Sequence, residues 1–177
     1  MTSLLEERIR KVILRMSGHN NCVEWQETLK SWTDDEIVKE MMKWTMPAVK
    51  VLMNREEPPT FKDLKDIPWV STRQLGVYLK LIFESLENPT AFDHFVYPGS
   101  AIRWDVGGLN HHRRGHESKP GPRRQQKFGT LFKVEMDCHF PSIKKEESVR
   151  HLCLFAMAMY TYIFGAFRNP DENQVLA

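Results

Sequence analysis

The segment Phe132–Phe140, FKVEMDCHF, sets Phe132, Val134, Met136, Cys138 and Phe140 against Lys133, Glu135, Asp137 and His139. A period of two turns one set of side chains to a core and the other to solvent, the pattern of a half-buried strand. Such strands belong to antiparallel sheets with one covered face. Most of the remaining chain reads as helix. The expected class is therefore α+β, a small antiparallel sheet packed against several helices. Pro141 ends the strand, and Ala101–Val106, stopped by Gly107-Gly108, is a candidate for a short second one.

Immediately before the strand lies residues 111–127, HHRRGHESKPGPRRQQK. Its six basic residues against one carboxylate give about +5, whereas the whole chain carries only +2. Gly and Pro break the stretch, so residues 110–127 are expected to form a long flexible basic loop. A gathered positive charge suits an anionic partner: phosphate, lipid headgroup or an acidic protein surface. Arg113, Arg114, Lys119, Arg123, Arg124 and Lys127 are the candidate binding residues. No arrangement of aromatics flanks them as it would in a stacking platform for single strands, so only electrostatics is read.

Outward from there, Leu75, Tyr78, Leu79, Ile82, Phe83 and Leu86 repeat at helical spacing. They predict a helix over Ser71–Leu86, stopped by Asn88-Pro89. Glu146-Glu147-Ser148 opens a long apolar helix closed by Arg168-Asn169-Pro170, with residues 169–177 a loose tail. Leu5, Ile9, Val12, Ile13 and Met16 predict an N-terminal helix, although β-branched Val12-Ile13 leave a strand open. A second helix is expected over Val23–Trp32. Thr33 with Glu36 forms a capping-box pattern for a helix running to Thr45, where Pro47 bends or ends it. Residues 55–60, REEPPT, read as a loop.

At 177 residues and 20.8 kDa, residues 1–177 suit a single globular domain with a real core. Three cysteines, Cys22, Cys138 and Cys153, form no CxxC pair and favour a reducing compartment. The N-terminus is too charged for a secretory signal, and Thr2 does not fit myristoylation. Leu152–Phe167 is the most apolar run, but it is shorter than the roughly 20 residues of a span and reads as a core helix. If helical, the N-terminal segment would present Arg8, Lys11 and Arg15 beside an apolar stripe, as a surface helix or one lying on a membrane.

His111, His112 and His116 with Cys138-His139 lack the second closely spaced pair of a zinc site. Cys138 and Cys153 read as buried small hydrophobes rather than nucleophiles. No G-x-S-x-G, P-loop, G-x-G-x-x-G or H-E-x-x-H motif is present. The expectation is a binding protein that is not an enzyme and uses no cofactor or metal. Pro58, Pro59 and Phe61 fall short of a PPxY ligand, because Phe61 stands where Tyr is needed, yet an apolar loop tip suits weak self-association.

In the order and texture of its segments the chain resembles a rhabdovirus matrix protein of the short, plant-infecting type. The likeness lies in Arg10–Met16, a polar loop and Leu29-Lys30-Ser31-Trp32; in Arg73–Lys80, RQLGVYLK; in Lys127–Met136, KFGTLFKVEM; and in the C-terminal helix. It implies a protein that self-associates beneath the envelope, condenses the nucleoprotein–RNA complex, links it to the inner membrane face and assists budding. It also implies a strand at residues 8–16 and a central apolar helix at residues 71–86. The chain departs from that family in lacking a long N-terminal arm with intact proline-rich motifs, so its basic stretch would have to supply the arm's charge. The runner-up is a soluble RNA-binding or host-modulating accessory protein using the same stretch.

Overall fold

The computed structural model describes residues 2–17, 26–27, 30, 32–57, 59–83, 95–103, 105–117, 125–135 and 143–164. Among them are six helices and one three-stranded antiparallel sheet, an α+β fold. The helix expected at Val23–Trp32 and the tail at residues 169–177 lie largely or wholly outside the described residues.

Helix α1 (Leu4–Ser17) buries Leu5, Ile9, Val12 and Ile13 on one stripe. Helical spacing therefore overrides the β-branched pair, and the strand implied for residues 8–16 does not form. Helix α2 (Asp34–Trp44) starts at the expected box: Thr33 Oγ1 accepts from the Glu36 amide while the Glu36 carboxylate accepts from the Thr33 amide at 2.8 Å. The chain turns at Thr45-Met46 and re-enters a helix, α3 (Pro47–Met53), with Pro47 in the first turn, where its missing donor costs nothing. A second box, Thr60 with Asp63, begins the short α4 (Phe61–Lys65) directly after the loop. Hydrogen bonds from the Thr60 side chain and amide, then from Arg55, hold the Asp63 carboxyl at about 2.

The largest correction concerns residues 71–86. Leu75–Phe83 is strand β1, not a helix, and it is the central strand of the sheet. It pairs on one side with β2 (Phe95–Ala101) and on the other with β3 (Gln125–Val134). A central strand covered on both faces loses the polar half of its alternation, and an unbroken apolar run then matches helical spacing by accident. Ala101–Val106 is corrected too: of its described residues only Ala101 is in a strand, and residues 105–107 form a turn. Strand β3 begins at Gln125, before the expected Phe132, and its described part keeps the predicted alternation of buried Phe132 and Val134 against Lys133 and exposed Glu135. Residues 136–140 of that segment lie outside the described residues.

The register shifts where Val77 faces Phe132 but Tyr78 faces Thr130, leaving Leu131 as a bulged residue. Leu131 and Phe132 are both fully buried as a result, and the Leu131 carbonyl accepts the Met46 amide at 3.0 Å. Thr45 bridges to Phe132 alongside it. The turn between α2 and α3 is thereby fastened to the outer edge of β3.

One face of the sheet carries the main core. Leu75, Val77, Leu79 and Leu81 pack there with α1, α2, α3 and the long helix α6 (Ile143–Ile163). Phe155, Ala156, Met159 and Tyr160 of α6 are 0% exposed. Cys153 is buried as expected, and burial pushes its thiol up to about 12. The buried Tyr160 hydroxyl meets Thr45 Oγ1 at 2.9 Å, and Thr45 in turn donates to the Met41 carbonyl. No helix among the described residues is long and apolar enough to cross a membrane.

Candidate functional site: a basic helix and an aromatic cleft

Among the described residues, the opposite face of the sheet is covered by one short helix, α5 (Gly108–Glu117), with Trp69 packed beside it. Residues 110–117 of the expected basic loop are thus helical, residues 118–124 lie outside the described residues, and residues 125–127 open β3. Local chemistry explains the helix. Gly107 and Gly108 both take positive φ, +105° and +56°, in a turn that few other residues could make. A Cβ on Gly108 would lie 2.2 Å from the Arg73 carbonyl, so the chain enters α5 pressed against the approach to β1. The first-turn amides, which have no partner inside a helix, go to that segment: Leu109 to the Gln74 carbonyl and Asn110 to the Thr72 carbonyl. Asn110 Oδ1 completes the joint by accepting the Thr72 amide at 2.9 Å.

Helical spacing then divides the histidines and arginines. Leu109, His112, Arg113 and His116 are wholly or partly buried toward the sheet, while His111, Arg114 and Gly115 are exposed. Tyr78, at the centre of β1, receives them: the His112 ring centroid is 5.9 Å from its own and the His116 centroid 5.6 Å. The Tyr78 ring fits because its cross-strand neighbour is Gly99, where a Cβ would come within 2.4 Å of the phenol. Burial raises the Tyr78 hydroxyl above its ordinary range. Burial, then neighbouring His111, lowers the His112 imidazole.

His116 is held from two sides. Its Nε2 lies 2.8 Å from the Tyr78 hydroxyl and its Nδ1 lies 3.3 Å from Lys80 Nζ. An ammonium has only donors, so Lys80 donates to Nδ1 and the ring donates from Nε2–H to the Tyr78 oxygen. Lys80 itself is half-buried, and desolvation lowers its pKa. His116 also lies over Phe128, at 6.0 Å and 31°.

Beyond His116 opens a cleft of about 680 Å³ between the end of α5, the start of β3 and the Asp66–Trp69 connection. Trp69 and Phe128 meet edge to face at 6.2 Å on its wall. The Arg113 guanidinium lies 5.3 Å from the Trp69 ring centre and 6.0 Å from that of Phe128, and its Nε donates to the Glu117 carboxylate at 2.6 Å. The Pro68–Val70 segment is held against β3 by Thr130, whose amide donates to the Pro68 carbonyl and whose Oγ1 accepts the Val70 amide.

Of the six basic residues read from the sequence, the fold brings Arg113 and Lys127 to one cleft and leaves Arg114 exposed on the outer side of α5. Lys127 lines the cleft from β3, but in register it shares a row with Leu81 and alternates away from Phe128. Lys119, Arg123 and Arg124 lie outside the described residues. The aromatics of the cleft wall come from different places: Trp69 from 44 positions before Arg113, and Phe128 from the position directly after Lys127. The one signal for Trp69 was a large aromatic beside Pro68 in a connecting segment.

Of the proposed docking residues, Pro58 lies outside the described residues, and Pro59 is half-buried. Phe61 packs on the main core from the first turn of α4 instead of capping a loose loop. Arg8 donates to the carbonyls of Met53 and Glu56, Arg15 bonds the Tyr162 hydroxyl, and Lys11 remains exposed next to a Leu14 that is 76% exposed. No group of three or more His, Cys, Asp or Glu among the described residues could hold a metal ion, and Cys138 and His139 are not among them. Comparison with protein-family models, with curated proteins and with solved structures yields no significant match to this chain.

Proposed function

We propose that the protein is a structural assembly protein of the viral matrix kind. It acts without catalysis or cofactor, self-associates weakly, and uses the α5 surface to condense an anionic nucleoprotein–RNA complex and link it to the inner face of a membrane. The observation that carries this reading is the concentration of Arg113, Arg114 and Lys80 on and under one short helix laid across the second face of the sheet. Support for peripheral lipid contact is the exposed Leu14 beside Lys11 on α1, an apolar side chain presented within a basic setting. Many weak contacts between copies on a polymeric partner supply avidity that no single interface needs to provide. The aromatic lining of the cleft favours a second reading, a soluble RNA-binding accessory protein acting through the same surface.

Sedimentation across concentration and salt, with and without anionic liposomes, tests the first reading. Salt-sensitive polymerisation together with co-sedimentation is expected, and Arg113→Glu with Arg114→Glu should weaken the co-sedimentation. A strict monomer that ignores liposomes at low salt sinks the matrix reading and leaves the accessory protein.

A further inference from the structure

Strand register sets Tyr97, Lys80 and Phe128 side by side across β2, β1 and β3, one row on the face that α5 shares. The helix covers the neighbouring row, Tyr78 with Gly99 and Thr130, and its last turn stops at His116 above Lys80. Tyr97 stands 51% exposed in the open part of this face, the one large aromatic so exposed among the described residues. At the β3 end of the row, Phe128 is backed by Trp69, with the Arg113 guanidinium over both rings. Phe128 itself is only 8% exposed under this cover, so the rings a ligand can reach are Tyr97 and the partly buried Trp69. Two reachable rings with cations between them on a sheet form a surface for unstacked bases with phosphates between them.

We propose that the face running from Tyr97 past Lys80 into the Trp69 cleft, with buried Phe128 as its floor, binds a single-stranded nucleic acid by stacking bases on Tyr97 and Trp69. This rests on the reading above that α5 and its surroundings meet an anionic partner, and it names the chemistry of that partner. The arrangement assigns different parts of the strand to different places. Asp66 and Glu117 line the cleft with Arg113 and Lys127, and Arg113 is already paired with Glu117, so the charges balance and a phosphate gains little there. Those carboxylates and Gln126 suit the N–H edges of a base, and a cleft of about 680 Å³ has room for one. Phosphates belong over Lys80 and along the exposed side of α5, where Arg114 stands. A lipid surface or an acidic peptide would use the cations and leave the aromatic row idle. Charge complementarity and exposed rings occur together here, which favours nucleic acid over either.

Fluorescence anisotropy with the full chain tests this, using labelled oligo(U) and oligo(dT) of about 12 nucleotides, within the usual footprint of such surfaces. Heparin, a polyanion without bases, is the comparison. Tyr97→Leu and Trp69→Leu should each weaken oligonucleotide binding roughly 10-fold, the scale of one lost stack. Both should leave heparin binding unchanged. Tyr97→Leu, at an exposed position, should also leave the melting temperature unchanged, whereas Trp69→Leu loses packing on Phe128 and should lower it while the chain stays folded; Tyr97→Phe should restore binding. Oligonucleotide should also quench tryptophan emission, less so in Trp69→Leu. A stronger response to oligo(U) than to oligo(dT) makes the partner RNA, and equal responses extend the inference to DNA. Heparin and oligonucleotide binding alike, with both leucine variants silent, overturns the stacking surface while the anionic reading stands. No binding to oligonucleotide, heparin or anionic vesicles overturns both.

Discussion

The two faces of β1 solve different problems with alternate residues of one strand. Leu75, Val77, Leu79 and Leu81 are at most 1% exposed and face a thick helical layer. Gly76, Tyr78, Lys80 and Ile82 face a ten-residue helix that covers only part of their length. The first face is aliphatic and closed, and its energy comes from area removed from water. The second is built from rings, imidazoles and an amine, in a small cluster of Tyr78, Ala101, Leu109 and Phe128 with Trp69 against it. Mixed polar and aromatic groups tolerate partial wetting, so this face can be left ajar. The sheet therefore separates a layer that holds the fold from a layer available for contact.

If that division is right, substitutions on the two faces differ in kind as well as size. Phe155→Ala removes a fully buried ring of the closed layer and should cost about 3–5 kcal/mol, read as a loss of denaturant midpoint. Gly99→Ala drives a methyl into the Tyr78 ring on the open layer. A cost of about 1–3 kcal/mol is expected there, together with weaker binding to anionic probes, because His116 rests on that ring. A native affinity in Gly99→Ala would break the link between the small cluster and the binding surface.

Removing one phenolic oxygen on each side sharpens the contrast. Tyr160→Phe strips a buried hydroxyl from Thr45 and should cost about 1–2 kcal/mol in chemical denaturation. Tyr78→Phe leaves His116 beside the cleft, where water can replace the lost partner, so it should cost under about 1 kcal/mol. Equal costs would mean that the second face is as dry as the first.

The smallest effect is in pH. His112 titrates below its ordinary value when folded, so between that value and the unfolded one the unfolded chain holds more protons. Stability should then fall as pH drops through the region below about 6.5 and recover above it. His112→Gln should flatten this slope in melting curves taken from neutral to mildly acidic pH.

How much of this was legible in the chain depended on which physical signal each element emits. Capping is local, so Thr33 with Glu36 marked the start of α2 without further context. Half-burial is nearly as local, and Phe132–Glu135 alternated as a strand must. Leu75–Phe83 misled because its second face is covered by α5, which lies 25 residues further on. No window along β1 contains that fact. The same α5 looked like a loop because its glycines and histidines are poor helix formers and Leu109 alone makes no apolar stripe. Its first-turn amides are instead satisfied by Thr72 and Gln74 from a distant segment. The electrostatic half of the candidate site, Arg113 and Lys127, was readable as composition. Its aromatic half was not, since Tyr97 and Phe128 join one row only through strand register and Trp69 reaches Phe128 from a connecting segment.

One further consequence follows from how the sheet ends on each side. The outer margin of β3 is taken up by Met46 and Thr45 at one point and by Pro68 at another. The other margin, β2, carries Pro98, whose nitrogen has no hydrogen to offer a newcomer and which tolerates a paired strand only when turned outward. Neither border is a ready template for another chain to extend the sheet. A second copy brought close would therefore find little in the borders of this sheet to extend, and the sheet resists zippering into amyloid-like ribbons.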